Sequence, residues 1–204
     1  MSNIKIYFDD RILELTGDSE EPTPLTHQQS FYNPSPQLLQ EIIGNLESGS
    51  YNHVLLSGRQ TLFSEICAHF RRITAGGGII FNSRDELLIM FRRGKWDLPK
   101  GKQDEGESDM ECALRECTEE TGLKNLSVIR SFGSTFHTYS GKRSAIFKET
   151  IWFLMKWAGG EPLIPQTEED ITELKWVSVF DQPDYMDQTS GSIREILQKI
   201  YESV

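Results

Sequence analysis

Between Gly101 and Gly122 the chain crowds six glutamates, two aspartates and one arginine into a span short enough to be a single loop and helix. Such a unit folds only if something balances the charge. Ser108 and Glu111 stand at capping-box spacing, which predicts a helix starting at Asp109, and Gly122 is placed to end it in a left-handed conformation. With about 100° per residue, Met110, Ala113, Leu114, Cys117 and Thr121 share one face, predicted to be the buried one. Glu116, Glu119 and Glu120, at i, i+3 and i+4, share another face and are expected to converge. A solvated acidic face is the plainer reading of three helical glutamates, but two penalties weigh against it. Like charges at these spacings cost roughly 0.2–0.5 kcal/mol per pair, and they sit toward the helix C-terminus, where the dipole disfavours anions. Arg115 offsets part of this through Glu111 and Glu119, yet one guanidinium cannot neutralise the group. A divalent cation can. Mg²⁺, or Mn²⁺ in its place, takes carboxylate, carbonyl and water oxygens and bridges phosphate oxygens.

The net charge of −10 argues against DNA or other general nucleic-acid binding, which leaves a basic footprint. It does not exclude a small anionic substrate, because Arg92, Arg93, Lys95, Lys100 and Lys102 reverse the field locally, just before the glutamates. No apolar run approaches the ~18 residues that span a bilayer, so no membrane partner is expected. The first ten residues lack the apolar core of a signal peptide. Cys67, Cys112 and Cys117 form no Cys-x-x-Cys pair and read as reduced, buried thiols. A cytoplasmic location is the resulting expectation.

Residues 3–8 alternate, with Ile4, Ile6 and Phe8 on one side, and Ile12, Leu13 and Leu15 return as a second strand after Asp9-Asp10. Residues 17–35, with Pro22, Pro24 and Pro34, read as a long surface connection. Ser35-Pro36 opens a helix with Leu38, Leu39, Ile42, Ile43 and Leu46 inward, and Gly49 ends it. A strand at 52–56 and a helix near 60–72 complete a small ββαβα unit over residues 1–73, whose pattern suggests no role. Residues 74–204 form the second expected domain. Gly76-Gly77-Gly78 enters a strand there, and glycines in a strand predict close backbone approach. Further strands are expected at 87–91, 125–139, 145–157 and 172–179. Ser190 or Ser192 caps a final helix with Ile193, Ile196, Leu197 and Ile200 inward.

The segment 101–123 resembles the Nudix box, Gly-x5-Glu-x7-Arg-Glu-U-x-Glu-Glu-x-Gly-U with U a bulky aliphatic residue. The fit runs through Gly101, Glu107, Arg115, Glu116, Glu119, Glu120, Gly122 and Leu123. Cys117 replaces one aliphatic residue and packs as a small hydrophobe. The resemblance covers residues 74 to 202 and implies an α/β fold, the Nudix α/β/α sandwich with a mixed β-sheet, preceded here by the ββαβα unit. It also implies hydrolysis of a nucleoside diphosphate linked to another moiety, with a phosphorylated small molecule as partner. Carried onto this chain, Glu116, Glu119, Glu120 and the carbonyl of Lys100 would be ligands of Mg²⁺. Glu107 and Arg115 would orient them, and Glu116 is the candidate base, with Glu120 beside it. Family members recruit a further acid before the last strand; Asp170 aligns best here, with Glu169 next.

For the substrate, Trp96-Asp-Leu-Pro-Lys100-Gly-Lys102 resembles the entry to the box in diadenosine polyphosphate hydrolases and in MutT-like sanitising enzymes. Lys100, Lys102, Arg92 and Lys148 are candidate phosphate contacts. Tyr139 lies sixteen residues past the box, where the resemblance to dinucleoside polyphosphate hydrolases implies a base-stacking tyrosine. A dinucleoside polyphosphate is thus expected first. A nucleoside triphosphate of the 8-oxo-dGTP kind comes second, and a non-catalytic nucleotide sensor is the reading from another class. The acidic surface is compatible with a homodimer.

Overall fold

The computed structural model describes residues 3–17, 28–141, 144–178, 181 and 183–202. The chain divides into two compact units, and the N-terminal one, Met1–Arg72, also takes in Phe136–Lys148. It is built from β1 (Ile4–Phe8), β2 (Arg11–Leu15), β3 (Gln29–Tyr32), α1 (Pro36–Ser48), β4 (His53–Ser57) and α2 (Leu62–Ala68). β1 and β2 form an antiparallel hairpin, and β4 pairs in parallel with β2 on one side and with β3 on the other. Residues Phe136 to Thr138 run parallel to β1. Ser35 Oγ accepts the Leu38 N–H, Pro36 opens the first turn, and Gly49 at φ 82° ends the helix, as the cap residues predict. Ile6, Leu13, Ile42, Leu46, Val54, Leu56 and Ile66 are wholly buried. Each contributes roughly 1.5–3 kcal/mol by leaving water.

Two sequence expectations change in this unit. β3 lies inside the expected connection 17–35, the middle of which falls outside the described residues. Its four half-exposed residues carry no alternation, and what makes them a strand is parallel pairing to β4, a non-local partner. The helix near 60–72 stops at Ala68, because Arg71 already belongs to the next strand.

The second unit, Ile73–Thr135 with Glu149–Val204, holds most of β5 (Arg71–Phe81). It also holds β6 (Leu87–Arg92), β7 (Lys95–Asp97), β8 (Lys100–Lys102) and α3 (Asp109–Thr121). Parts of β9 (Leu126–Ser140) and β10 (Ala145–Trp157), then β11 (Ile171–Val177), α4 (Pro183–Met186) and α5 (Gly191–Tyr201), complete it. The strands run β11-β6-β5-β10-β9, with β7 on β6 and β8 on β5. Alternate residues face opposite sides of this sheet. Ile79, Leu87, Ile89 and Trp152 pack with Ile193, Ile196, Leu197 and Ile200 of α5. Ile80, Leu88 and Met155 pack with Ala113 and Cys117 of α3. The result is a helix-sheet-helix sandwich, and Ser190 occupies the N-cap position of α5 without a side-chain capping hydrogen bond. No helix among the described residues is long and apolar enough to cross a membrane.

The glycine run explains how close α3 comes. A Cβ on Gly76 would lie 2.5 Å from the Ala113 nitrogen, and one on Gly78 would lie 2.4 Å from Cys117 Sγ. Only small residues can face the sheet at that distance. This rotates the buried stripe away from the predicted one: Cys112, Ala113, Cys117, Glu120 and Thr121 are buried, whereas Met110 is 46% exposed and Leu114 only partly covered. A long side chain has no room under the helix, so Met110 lies on its flank.

Candidate active site

α3 is held in place at both ends by its own sequence. Ser108 Oγ accepts the Glu111 N–H at 3.3 Å while Glu111 Oε2 accepts the Ser108 N–H at 2.9 Å. Gly122 ends the helix at φ 74°. About two turns before that end, Arg115 gathers the acids. Its Nε and Nη2 donate to the two oxygens of Glu107, each at 2.8 Å. Its Nη1 donates to Glu116 Oε1 at 2.8 Å and to Glu119 Oε2 at 3.2 Å, and Nη2 also reaches the Lys102 carbonyl at 3.2 Å. The guanidinium holds the Glu107 carboxyl at about 2, well below the usual carboxylate range. The same contacts, Glu107 foremost, raise Arg115 above its ordinary value.

Gly101 is part of this arrangement. A Cβ there would lie 1.8 Å from Glu116 Oε2, so any other residue would occupy the place of the carboxylate. The glycine is in β8, whose pairing with β5 sets Gly101 opposite Gly76.

Glu120 has different partners. It is 2% exposed, its Oε2 accepts the Lys100 N–H at 2.8 Å, and its Oε1 accepts from Arg92 Nη1 at 3.3 Å. Burial pushes its pKa up to about 7, against the pull of Lys100 and Arg92. The three glutamates therefore share a helix face but do not meet at one point. Arg115 holds Glu116 and Glu119, and Arg92 with the Lys100 amide holds Glu120. Among the described residues no three His, Cys, Asp or Glu side chains are gathered as a closed metal cage. The donor set nevertheless fits a hard divalent ion: its side-chain donors are all carboxylates, Gly101 leaves room for the Glu116 carboxylate, and Glu119, 47% exposed, is placed to turn.

The remaining candidates are distributed as follows. The Lys100 side chain is 11% exposed, and its ammonium donates to Asp97 Oδ2 at 2.5 Å and to the Leu98 carbonyl at 3.4 Å. The Lys102 side chain is exposed. Arg92 lies between Glu120 and Glu169, donating from Nη2 to Glu169 Oε2 at 2.5 Å and from Nε to the Glu169 carbonyl at 2.8 Å. Asp170 instead accepts from Arg93 Nε at 2.9 Å. Of the two loop acids, Glu169 is thus the one joined to Glu120. Tyr139 and Lys148 belong to the N-terminal unit, not to the unit that carries α3. Tyr139 is 39% exposed, stacks on His137 at 5.7 Å, and borders a cavity of about 240 Å³ with Arg11 and Thr138. Sequence reasoning missed Asp97 and the bridging place of Arg92. A pair separated by 77 residues, as Arg92 and Glu169 are, leaves no local pattern to read.

The model of the NUDIX domain matches residues 71–195. A Mycobacterium tuberculosis protein named "Putative mutator protein MutT4" is 32% identical over 121 residues, covering 54% of this chain and 48% of that protein. An RNA pyrophosphohydrolase of Pelagibacter ubique is 25% identical over 143 residues, covering 62% of this chain and 90% of the relative. The chain thus spans about half the length of its mycobacterial relative. The crystal structure of a MutT protein from Methanosarcina mazei superposes with a TM-score of 0.52 at 22% identity, over 66% of this chain and 96% of the other, which speaks for the fold. With the box helix, its arginine-held glutamates and the sandwich that carries them, the matched domain establishes that this chain belongs to the Nudix hydrolase family.

Proposed function

We propose that this chain is a Mg²⁺-dependent pyrophosphohydrolase that cleaves a phosphoanhydride bond of a nucleoside diphosphate derivative. One observation carries the reading: Arg115 holds Glu107, Glu116 and Glu119 together beside Gly101, where even a methyl group would displace the Glu116 carboxylate. Glu116, Glu119, Glu120 and the carbonyl of Lys100 would hold the ion, with Mn²⁺ as an alternative. When bound, the ion lowers the pKa of the attacking water and offsets charge on the phosphate oxygens. Glu116, oriented by Arg115, accepts the proton of that water as its oxygen attacks phosphorus and the anhydride oxygen leaves. Glu107 fixes Arg115 through a two-point pair and so fixes the carboxylates it holds. We assign this chemistry to residues 74–204, apart from the Phe136–Lys148 stretch that belongs to the N-terminal unit.

The preferred substrate in this reading is a dinucleoside polyphosphate, supported by the sequence resemblance of residues 96–102 and of Tyr139, sixteen residues past the box, to dinucleoside polyphosphate hydrolases. A nucleoside triphosphate is the second reading, supported by the resemblance of the same stretch, residues 96–102, to MutT-like sanitising enzymes. Phosphate release across dinucleoside polyphosphates, nucleoside triphosphates and 5′-triphosphorylated RNA, with and without Mg²⁺, tests both. Mg²⁺-dependent turnover of a dinucleoside polyphosphate in preference to triphosphates is the expected result. No turnover of any of them sinks the hydrolase reading, and a triphosphate preference transfers it to the second substrate.

A further inference from the structure

Arg92, the last residue of β6, and Arg93 just after it meet two consecutive acids at the entry to β11. Arg92 meets Glu169 and Arg93 meets Asp170, but the environments differ. The Arg93–Asp170 pair is exposed on both sides, at 68% and 61%. Arg92 is 17% exposed, and its fork has three acceptors: the Glu169 carbonyl, the Glu169 carboxylate and the 2%-exposed carboxylate of Glu120. The segment it grips is a 3-10 turn, Thr167–Glu169, closed by Asp170 at φ 62°. The ladder between β6 and β11 shifts register between Ile171 and Glu173, so the pairing of Ile171 with Arg92 lies beyond the regular part of the ladder. The Gln166 N–H donates to the Glu120 carbonyl at 3.3 Å and Arg93 meets Asp170, while Arg92 is the side chain that ties the turn to the Glu120 carboxylate.

We propose that Arg92 is a positioning residue that locks the 167–170 turn to Glu120, so that Glu169 and Glu120 are presented together. The inference rests on the hydrolase reading for its kinetic consequence, but the lock itself is a property of the folded chain. A fixed planar fork suits three acceptors in different directions, and a lysine ammonium on a flexible stem does not. In this assignment Arg92 makes no contact with substrate, unlike the phosphate-binding role its charge suggests in the sequence.

The test compares Arg92→Gln, Arg92→Lys, Glu169→Gln, the double variant Arg92→Gln/Glu169→Gln and, as a control in the same turn, Arg93→Gln. Without substrate, Mn²⁺ titration followed by electron paramagnetic resonance should show affinity about 10–100-fold weaker in Arg92→Gln, the range for loss of a group that orients metal ligands. Amide exchange at Glu169 and Asp170 should rise by a similar factor, while the Ile89 and Met90 amides in β6 stay protected. In turnover, Arg92→Gln and Glu169→Gln should lower kcat about tenfold or more with KM little changed. The double variant should be no worse than the worse single one, Arg92→Lys should fail to rescue, and Arg93→Gln should stay near wild type. The proposal is overturned if Mn²⁺ affinity and turn exchange in Arg92→Gln match wild type, or if the single losses add in the double variant. A raised KM at unchanged kcat also overturns it and makes Arg92 a substrate contact. If wild-type protein hydrolyses nothing in the panel, the hydrolase reading fails, while the Mn²⁺ and exchange measurements still decide the lock.

Discussion

Replacing Gly101 by alanine separates a catalytic requirement from a folding one. The added methyl carbon would lie 1.8 Å from Glu116 Oε2 and 2.0 Å from its Cδ, whereas ordinary contact begins at 3.4 Å. The carboxylate must therefore move by about 1.6 Å, the difference between those two distances. That group is the end of a flexible side chain, so the main chain of β8 does not have to shift, and Gly101 has no positive φ to strain. The immediate loss is the 2.8 Å charge-assisted bond from Arg115, which keeps its two-point pair with Glu107. Such a bond contributes about 1.5–3 kcal/mol at most, and partial exposure of both partners reduces this to roughly 1 kcal/mol. For a chain of this size that corresponds to a fall in Tm of about 2–4 °C. Catalysis is far less tolerant, since misplacing a reacting group by about 1 Å costs on the order of 10²-fold. Differential scanning calorimetry and a phosphate-release assay on Gly101→Ala should show a folded protein with kcat lowered by about 10²-fold or more. Near-wild-type kcat at an unchanged Tm would refute the reasoning, because Glu116 would then not need that place. Loss of folding would refute it too, by showing that β8 cannot accommodate the methyl group.

Glu119→Gln and Glu120→Gln should each remove nearly all turnover while circular dichroism shows an intact fold; normal turnover in either excludes it from the ion site. Gly76→Ala should behave in the opposite way to Gly101→Ala, costing several kcal/mol, because its Cβ meets main-chain atoms of α3 at 2.5 and 2.8 Å that cannot turn aside. Chemical denaturation of that variant measures the loss. Glu107, held at about 2 by Arg115, stabilises the fold above its unfolded value of 4.5, and that contribution disappears as pH falls from 4.5 to 2. The stability gap between wild type and Glu107→Gln should close over that window. Glu120 has the reverse sign: its folded value of about 7 lies above 4.5, so without metal the protein loses stability as pH rises between the two. Mg²⁺ binding at pH 6 should accordingly release a proton in wild type and not in Glu120→Gln, as calorimetry in buffers of different ionisation enthalpy would reveal.

The comparison of sequence with structure turns on range. The caps of α1 and α3, the stops at Gly49 and Gly122 and the close approach at Gly76 to Gly78 depend on neighbours or on one missing side chain, and all are legible in the sequence. β3 is not, because four half-exposed residues become a strand only by pairing with β4. The buried face of α3 is legible only in part. Helical phasing ranks Met110 among the inward residues, but the glycines of β5 bring the helix too close for a methionine to fit beneath it.

The site divides along the same line. The order of Gly101, Glu107, Arg115, Glu116, Glu119 and Glu120 within one loop and helix is enough to carry the resemblance to the family, and α-helical geometry places residues three and four apart on one side whatever surrounds them. It cannot say which acid is solvated and which is buried, or which cation serves which carboxylate. Those depend on where β8 lays the Lys100 amide, on how deep α3 sinks onto β5, and on the register that carries Arg92 to Glu169 across 77 residues. Burial and long-range pairing are properties of the packed chain, and through them three similar glutamates acquire different electrostatic surroundings.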